Sequence, residues 1–181
     1  MKVVAFAATN SSKSINKQLV TYAVSFVEDA EVEILDLNDF ELPLFSEDRE
    51  AELGQPQLAK DFLAKLAGAD AIVVSFAEHN GSYTVAYKNL FDWSSRITRE
   101  VYAHKPMVLL ATSPGPGGAQ RVLATAESAL GFFAGDVKAT LSVPRFHDNF
   151  DIESGELTNP ELKTQLADAM NILAAQGEKA A

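Results

Sequence analysis

Hydroxyl-bearing side chains follow the first apolar run of the chain, in a segment that extends from Thr9 to Asn16. If a strand ends and a helix begins there, the hydroxyls, the free backbone N–H groups and the positive end of the helix meet at one point. Such a point binds anions, phosphate groups in particular. The segment has neither a GxGxxG dinucleotide fingerprint nor the GK[ST] of a P-loop. The plain alternative is that Ser14 only caps the helix and that the other hydroxyls face water.

A second polar segment extends from Glu78 to Ser82 and contains the pair Asn80-Gly81. Gly adopts backbone conformations that are closed to other residues, and Asn-Gly pairs favour tight turns. A short turn after a buried strand can therefore bring backbone N–H groups close to a planar ligand. His79 on its own would more often be a polar surface residue than a catalytic one.

A third segment, Thr112 to Arg121, has two prolines and three glycines within the five residues 114–118. Gly117 and Gly118 would let the chain approach a flat ring closely. A simple strand-to-helix turn is the alternative, but it requires fewer residues of these types. We therefore interpret the segment as one wall of a site for a flat ring.

Composition excludes several classes of function. The chain has no cysteine, which excludes disulfides and thiol redox chemistry. Its three histidines, His79, His104 and His147, lie far apart, so no metal-ligand spacing is present. The net charge of −10 disfavours nonspecific binding to nucleic acid or to an anionic membrane. The run Val3 to Ala8 is too short for a signal peptide, and none approaches the roughly 20 residues of a membrane span. We expect a cytoplasmic protein.

Apolar runs alternate with helical patterns along the 181 residues. The predicted strands are Lys2 to Ala8, Glu31 to Leu37, Asp70 to Phe76, Met107 to Thr112 and Val137 to Val143. Apolar residues recur at helical spacing in segments 15–27, 57–68, 84–93, 119–130 and 159–175. Segment 38–56 reads as an irregular connection that packs Leu42, Leu44 and Phe45 onto the domain, and 176–181 as a frayed tail.

Strands that alternate with helices predict a parallel sheet covered on both faces, because parallel strands require crossover connections. Ligands of such sheets bind beyond the carboxyl ends of the strands. The three polar segments follow the first, third and fourth predicted strands, which places all of them at that edge.

The first segment resembles that of the NADPH-dependent FMN reductase family, the flavin-reductase-like branch of the flavodoxin superfamily. The family pattern is G-S-x-R-x-x-S-x-N-x-x-L, and Ser14, Asn16 and Leu19 fit it, with Thr9 where the family often has Ser. The family glycine and arginine fall on Ala8 and Ser11. Lys13, two places later, offers a positive charge in place of that arginine.

The second and third segments extend the resemblance over most of the chain. Residues 78–82 with 88–93 are similar to the family's P-E-Y-N-G-S followed by L-K-N-x-x-D-W. Ala77, His79 and Thr84 stand where the family has proline, tyrosine and a second proline. Residues 112–121 are similar to S-x-G-x-x-G-G-x-R, in which Arg121 would meet either a nicotinamide-cofactor phosphate or a neighbouring acid.

The resemblance implies a single flavodoxin-like domain over residues 1–181, a three-layer α/β sandwich with the five-stranded parallel sheet in the order 2-1-3-4-5. It also implies non-covalently bound FMN, which takes hydride from NAD(P)H and reduces a small acceptor such as a quinone, azo compound, metal oxyanion or free flavin. A homodimer or homotetramer is expected. The residues expected to bind FMN are Thr9, Ser11, Lys13, Ser14, Ile15, Asn16, Glu78, His79, Asn80, Gly81, Ser82, Ser113, Gly115, Gly117 and Gly118.

Three interpretations accompany the resemblance. Hydride transfer requires positioning more than a side-chain acid or base, so we predict no catalytic side chain and assign Glu78 an orienting role. One predicted helix carries four polar or aromatic residues that we interpret as packing, capping and ion-pairing residues: Lys88, Asn89, Asp92 and Trp93. A flavodoxin-like electron carrier, which binds FMN without turning over NAD(P)H, is the main rival, and a domain that has lost tight flavin binding is a weaker one.

Overall fold

The computed structural model describes residues 1–177, and residues 178–181 lie outside the described part. The strands are β1 (Lys2–Ala8), β2 (Glu31–Leu35), β3 (Ala71–Phe76), β4 (Glu78–His79), β5 (Ser82–Tyr83), β6 (Pro106–Thr112), β7 (Asp136–Val143), β8 (Phe150–Asp151) and β9 (Glu156–Leu157). The α-helices are α1 (Ile15–Val24), α2 (Glu47–Leu53), α3 (Gln57–Ala67), α4 (Val85–Ile97), α5 (Gln120–Leu130), α6 (Phe146–Asn149) and α7 (Pro160–Gly177). Two 3₁₀ turns cover Leu37–Phe40 and Gly131–Phe133.

The main sheet has five parallel strands in the order β2-β1-β3-β6-β7. This confirms the predicted sheet, its strand order and the flavodoxin-like architecture. The central strand β3 is buried at every position, as expected for a continuous apolar run that is covered on both faces. The three central strands, β1, β3 and β6, are therefore the ones whose apolar runs are easiest to recognise in the sequence.

Helices cover both faces of the sheet. Val3 and Ala5 face a core that they share with α1 and α7. Val4 and Phe6 face the opposite core, which is formed with α3, α4 and α5. This alternation follows from the period of two in a strand, which sends successive side chains to opposite faces. Among residues 1–177, no helix is both long enough and apolar enough to cross a membrane.

The connection between β2 and α3 differs from the prediction. It is not irregular throughout, because it contains a 3₁₀ turn and α2, a helix without a buried residue. Leu42 packs against the core and Phe45 lies edge-on against Trp93, with ring centroids 5.1 Å apart. The prediction was wrong for Leu44, which is 69% exposed.

Smaller differences concern short elements and element ends. Strand β2 ends at Leu35 rather than Leu37, because the chain enters the 3₁₀ turn there. The hairpins β4–β5 and β8–β9 were not predicted, since two-residue strands are too short to show a hydrophobic period. The frayed tail was expected from residue 176, but α7 continues to Gly177. The rest of that predicted tail lies outside the described residues.

Candidate functional site

Three loops leave the carboxyl ends of the central strands. Ala8 at the end of β1 pairs with Phe76 at the end of β3, and Phe76 pairs with Ala111 near the end of β6. We call residues 9–14 the first loop, 77–83 the second loop and 113–119 the third loop. The three polar segments picked out in the sequence therefore start from one edge of the sheet, as predicted.

The first loop is ordered by its own hydroxyls. The Thr9 hydroxyl oxygen accepts the Ser11 N–H at 3.2 Å, and the Ser14 hydroxyl oxygen accepts the Lys17 N–H at 3.2 Å. Ser14 therefore does cap α1. In both contacts the hydroxyl oxygen is the acceptor, so each O–H stays free to donate to an anion. Capping the helix and binding a phosphate group are compatible roles for this loop.

Two lysines lie in or beside the first loop, and one of them forms an ion pair. Lys17 Nζ lies 2.6 Å from Asp36 Oδ2, and its hydrogen bond is the main cause that lowers the pKa of Asp36 to about 2. Lys13 is exposed and has no carboxylate within 4.0 Å among residues 1–177. The free positive charge beside the loop therefore belongs to Lys13.

Asn16 and Ile15 face inward from the start of α1. The Asn16 side-chain Nδ2 donates to the Thr112 carbonyl at 3.2 Å, and its Oδ1 accepts the Thr112 N–H at 3.1 Å and the Ser75 hydroxyl at 2.8 Å. Asn16 is only 3% exposed. Ile15 packs against the core under α1. The Asn16 side chain holds the ends of β3 and β6 together, and the Ile15 side chain packs inward. A contact of either residue with a ligand would therefore be made mainly by its backbone.

The second loop is a hairpin around Asn80-Gly81. Asn80 has φ 53° and Gly81 has φ 80°, values that fit a two-residue turn of the type common in hairpins. The pairs Glu78–Tyr83 and His79–Ser82 form the ladder of this hairpin. The predicted tight turn is present.

Glu78 points from the second loop to the start of α5. Its Oε2 accepts the Val122 N–H at 3.0 Å. Helix α5 needs this acceptor because Ala119, the residue before it, offers no side-chain cap. This contact agrees with an orienting role for Glu78 and fixes the second loop against the helix that follows the third loop.

Thr84 anchors the end of the second loop, and Arg121 lies beside its turn. Thr84 donates its hydroxyl to the Ala8 carbonyl at 2.8 Å and accepts the Tyr87 N–H at 3.2 Å, which caps α4. The side chain of Arg121 lies beside Gly81, where an added Cβ would be 3.7 Å from Cδ and Nη1 of the arginine. Sequence reasoning missed the Thr84 contact with β1, which joins residues 76 positions apart.

The third loop is held to the end of β7. The Ser113 carbonyl accepts the Phe146 N–H at 3.0 Å, and the Gly115 carbonyl accepts the Arg145 N–H at 2.9 Å. Gly118 has φ +56°, and a Cβ there would lie 2.3 Å from Ser142 Oγ. Gly118 is therefore required by packing against β7. At Gly117, by contrast, a Cβ would meet no described atom within 4 Å, so this residue leaves an open surface.

Asn89 and Trp93 fasten the residues Leu42–Phe45 to α4. Asn89 Nδ2 donates to the Leu42 and Pro43 carbonyls at 3.0 and 3.1 Å, and its Oδ1 accepts the Phe45 N–H at 2.8 Å. Trp93 Nε1 donates to the Pro43 carbonyl at 2.7 Å. Lys88 and Asp92 form an ion pair one helical turn apart. The interpretation of these residues as packing and ion-pairing residues is confirmed. The capping part of it was wrong, because Thr84 and Thr98 are the caps of α4.

A cleft of about 320 Å³ opens between the first loop, the second loop and the start of α4. The fastened residues Leu42–Phe45 and the 3₁₀ turn before them form its far wall. It is lined by Asn10, Leu37, Asn38, Phe40, Glu41, Leu42, Leu44, His79, Thr84, Val85, Ala86 and Asn89. The lining combines apolar side chains with side-chain amides, which suits an uncharged ring that carries polar substituents.

The strand order and the position of the loops at its carboxyl edge define a flavodoxin-like α/β protein. The chain belongs to the NADPH-dependent FMN reductase family, whose sequence profile matches residues 1–148. This confirms the resemblance found in the sequence.

Curated relatives share moderate identity with the chain. An NAD(P)H-dependent FMN reductase of Pseudomonas aeruginosa is 30% identical over 122 residues, which cover 67% of this chain and 64% of that protein. An NADPH:quinone oxidoreductase of Arabidopsis thaliana is 29% identical over 122 residues, 65% of this chain and 61% of that protein. The matches thus span less than two thirds of the length of these relatives.

Solved structures share the fold over nearly the whole chain. FerB, a flavoenzyme NAD(P)H:(acceptor) oxidoreductase from Paracoccus denitrificans, superposes with a TM-score of 0.80 at 22% identity and covers 98% of this chain and 97% of its own. An azoreductase from Bacillus anthracis gives 0.66 at 18% identity, with 97% and 99% coverage. At these identities the similarity establishes the fold.

Proposed function

We propose that the protein is an FMN-containing oxidoreductase that takes hydride from NAD(P)H and passes it to a small acceptor, such as a quinone, azo compound, metal oxyanion or free flavin. The observation that carries this proposal is the family match over residues 1–148, and the hydroxyl protons that Thr9 and Ser14 keep free in the first loop support it. The activities after which the relatives are named, FMN reduction and quinone reduction, also support it. We also propose that residues 1–181 form a single FMN-binding domain.

The residues present fit FMN. The free hydroxyl protons of Thr9 and Ser14 and the charge of Lys13 suit a phosphate group. The open surface at Gly117 and the turn at Asn80-Gly81 suit the approach of a flat ring. Bound FMN supplies the hydride chemistry. The loops would bind it, orient it and leave one ring face open to the donor and then to the acceptor.

The test is an anaerobic absorbance titration of the FMN-loaded protein with NADPH and then with NADH. We expect about one equivalent of the preferred donor to bleach the flavin band, because a hydride carries both electrons. Flavin that binds but is bleached by neither donor would favour the electron-carrier function. Failure to bind FMN would refute the proposal outright, since every later step depends on the loaded site.

We expect the variant Lys13→Gln to bind FMN roughly tenfold more weakly, because it removes the free positive charge of the first loop. A charge-assisted hydrogen bond to a phosphate group is worth about 1.5 kcal/mol or more, which corresponds to about a tenfold change in the dissociation constant. Fluorescence titration of the apoprotein with FMN measures the change. The matched control is Lys60→Gln, an exposed lysine of α3 that is far from the loops in sequence. Equal affinities of the two variants would mean that Lys13 does not contact the phosphate.

Assembly and location stay proposals. We propose a homodimer or homotetramer, supported by the apolar side chains of Leu44 and Val85, which are 69% and 68% exposed beside the cleft. Sedimentation equilibrium would give the mass, and a monomer at micromolar concentration would contradict this proposal. We also propose a cytoplasmic location, which agrees with the family match and is tested by cell fractionation.

A further inference from the structure

Reduction of a quinone by hydride requires a proton as well. The quinone gains two electrons and two protons on becoming a hydroquinone, and a hydride brings both electrons but only one proton. The other oxygen becomes a phenolate unless a second proton reaches it. A group that can give up a proton near neutral pH and that faces the acceptor would supply it.

His79 is placed to do so. It lies on β4 next to Glu78, and adjacent strand residues point to opposite sides. The Glu78 side chain points toward α5. The His79 side chain is exposed, points to the other side of the strand and lines the cleft together with Asn10 and Val85. Of the twelve residues that line this cleft, only His79 and Glu41 are titratable. Imidazole is the side chain whose charge changes in the physiological pH range.

Neighbouring titratable groups are less suited to donate the proton. The Glu78 carboxylate accepts the Val122 N–H. Burial raises the pKa of the Tyr83 phenol to about 12, which makes it a weak acid. On α4, Lys88 is held by Asp92 at 2.7 Å. Glu41 lies on the far wall of the cleft, which the 3₁₀ turn and the residues after it form.

We propose that the cleft binds the quinone acceptor and that the His79 imidazolium donates the second proton to it. This inference rests on the proposed function. Hydride, derived from NAD(P)H, forms an O–H bond at one quinone oxygen and both C=O π bonds are lost as the ring becomes aromatic. The imidazolium N–H bond breaks, its electron pair stays on the ring nitrogen, and the proton forms the second O–H bond at the other oxygen. Solvent then reprotonates the imidazole.

The experiment compares two acceptors in the oxidative half-reaction of the FMN-loaded enzyme after reduction by NADPH. 1,4-Benzoquinone takes up protons with its electrons, whereas ferricyanide takes one electron and no proton. For His79→Gln we expect the ratio of the stopped-flow rate with benzoquinone to that with ferricyanide to fall roughly a hundredfold, the lower end of what a positioned general acid contributes. A change in FMN binding would alter both rates, so their ratio isolates proton donation. For the control His104→Gln, an exposed histidine outside the cleft, the ratio should stay within about twofold.

A second measurement does not depend on turnover. The chain has three histidines, so the imidazole proton resonances are few and His79→Gln assigns one of them. Titration of the oxidised enzyme with 1,4-hydroquinone should shift the His79 resonance and leave those of His104 and His147 in place. A His79 resonance that does not move would overturn the placement of the acceptor in this cleft.

The kinetic outcomes separate the two proposals. Equal slowing with both acceptors, or no slowing with benzoquinone, would overturn proton donation by His79 while leaving the reductase function intact. If NADPH does not reduce the flavin of the unmodified protein, the failure lies in the proposed function instead, because reduction precedes any contact with the acceptor.

Discussion

Replacement of Gly118 by alanine should lower the free energy of unfolding by about 2 to 5 kcal/mol, the sum of a left-handed backbone penalty and an overpacked contact. Gly118 has φ +56°, and its added Cβ would lie 2.3 Å from Ser142 Oγ and 3.0 Å from the backbone nitrogen of Pro144. Ser142 can turn away only by giving up its hydrogen bond to the Gly118 carbonyl. Urea unfolding followed by circular dichroism measures the loss.

Gly117 provides the matched control. Its added Cβ meets no described atom within 4 Å, so Gly117→Ala should change stability by less than about 1 kcal/mol. The same open surface makes Gly117→Leu the cleaner test of a flavin wall, since loss of FMN without loss of stability would place the ring there. If Gly118→Ala unfolded at the same urea concentration as Gly117→Ala, packing against β7 would not be what requires the glycine.

The main sheet could be predicted from the sequence because its central strands are buried on both faces. Strands β1, β3 and β6 are continuous apolar runs, and polar or glycine-rich segments mark where they end. Helix α2 could not be predicted in the same way, because a helix without buried residues has no apolar stripe. The local signals that mark it are its N-terminal cap Ser46, the acidic residues of its first turn and Gly54 after its end.

The site was predicted at the level of loops and less well at the level of single side chains. Asn16, Glu78 and Gly118 fit the family motifs and were expected to bind FMN, yet their visible contacts are with other parts of the chain. Their partners lie 96, 44 and 24 residues away, and local sequence does not reveal contacts over such separations. A motif therefore includes residues that build the frame of a site together with residues that touch its ligand.

Replacement of Asn16 distinguishes most clearly between a residue that builds the frame of the site and one that contacts its ligand. We expect Asn16→Ala to destabilise the protein by about 3 kcal/mol or more, because it leaves three buried polar groups without partners at about 1 to 3 kcal/mol each. Those groups are the Thr112 N–H, the Thr112 carbonyl and the Ser75 hydroxyl. The control Ser14→Ala removes a helix cap and should cost only about 1 kcal/mol.

Amide hydrogen exchange distinguishes a frame residue from a ligand contact. If Asn16 holds the ends of β3 and β6 to α1, Asn16→Ala should speed exchange of the Thr112 N–H even without FMN, whereas Ser14→Ala should not. Exchange that is unchanged without FMN, combined with weakened FMN binding, would instead make Asn16 a direct ligand of the phosphate. Because the third loop begins next to Thr112, a frame role predicts that losing this one amide loosens the first and third loops together.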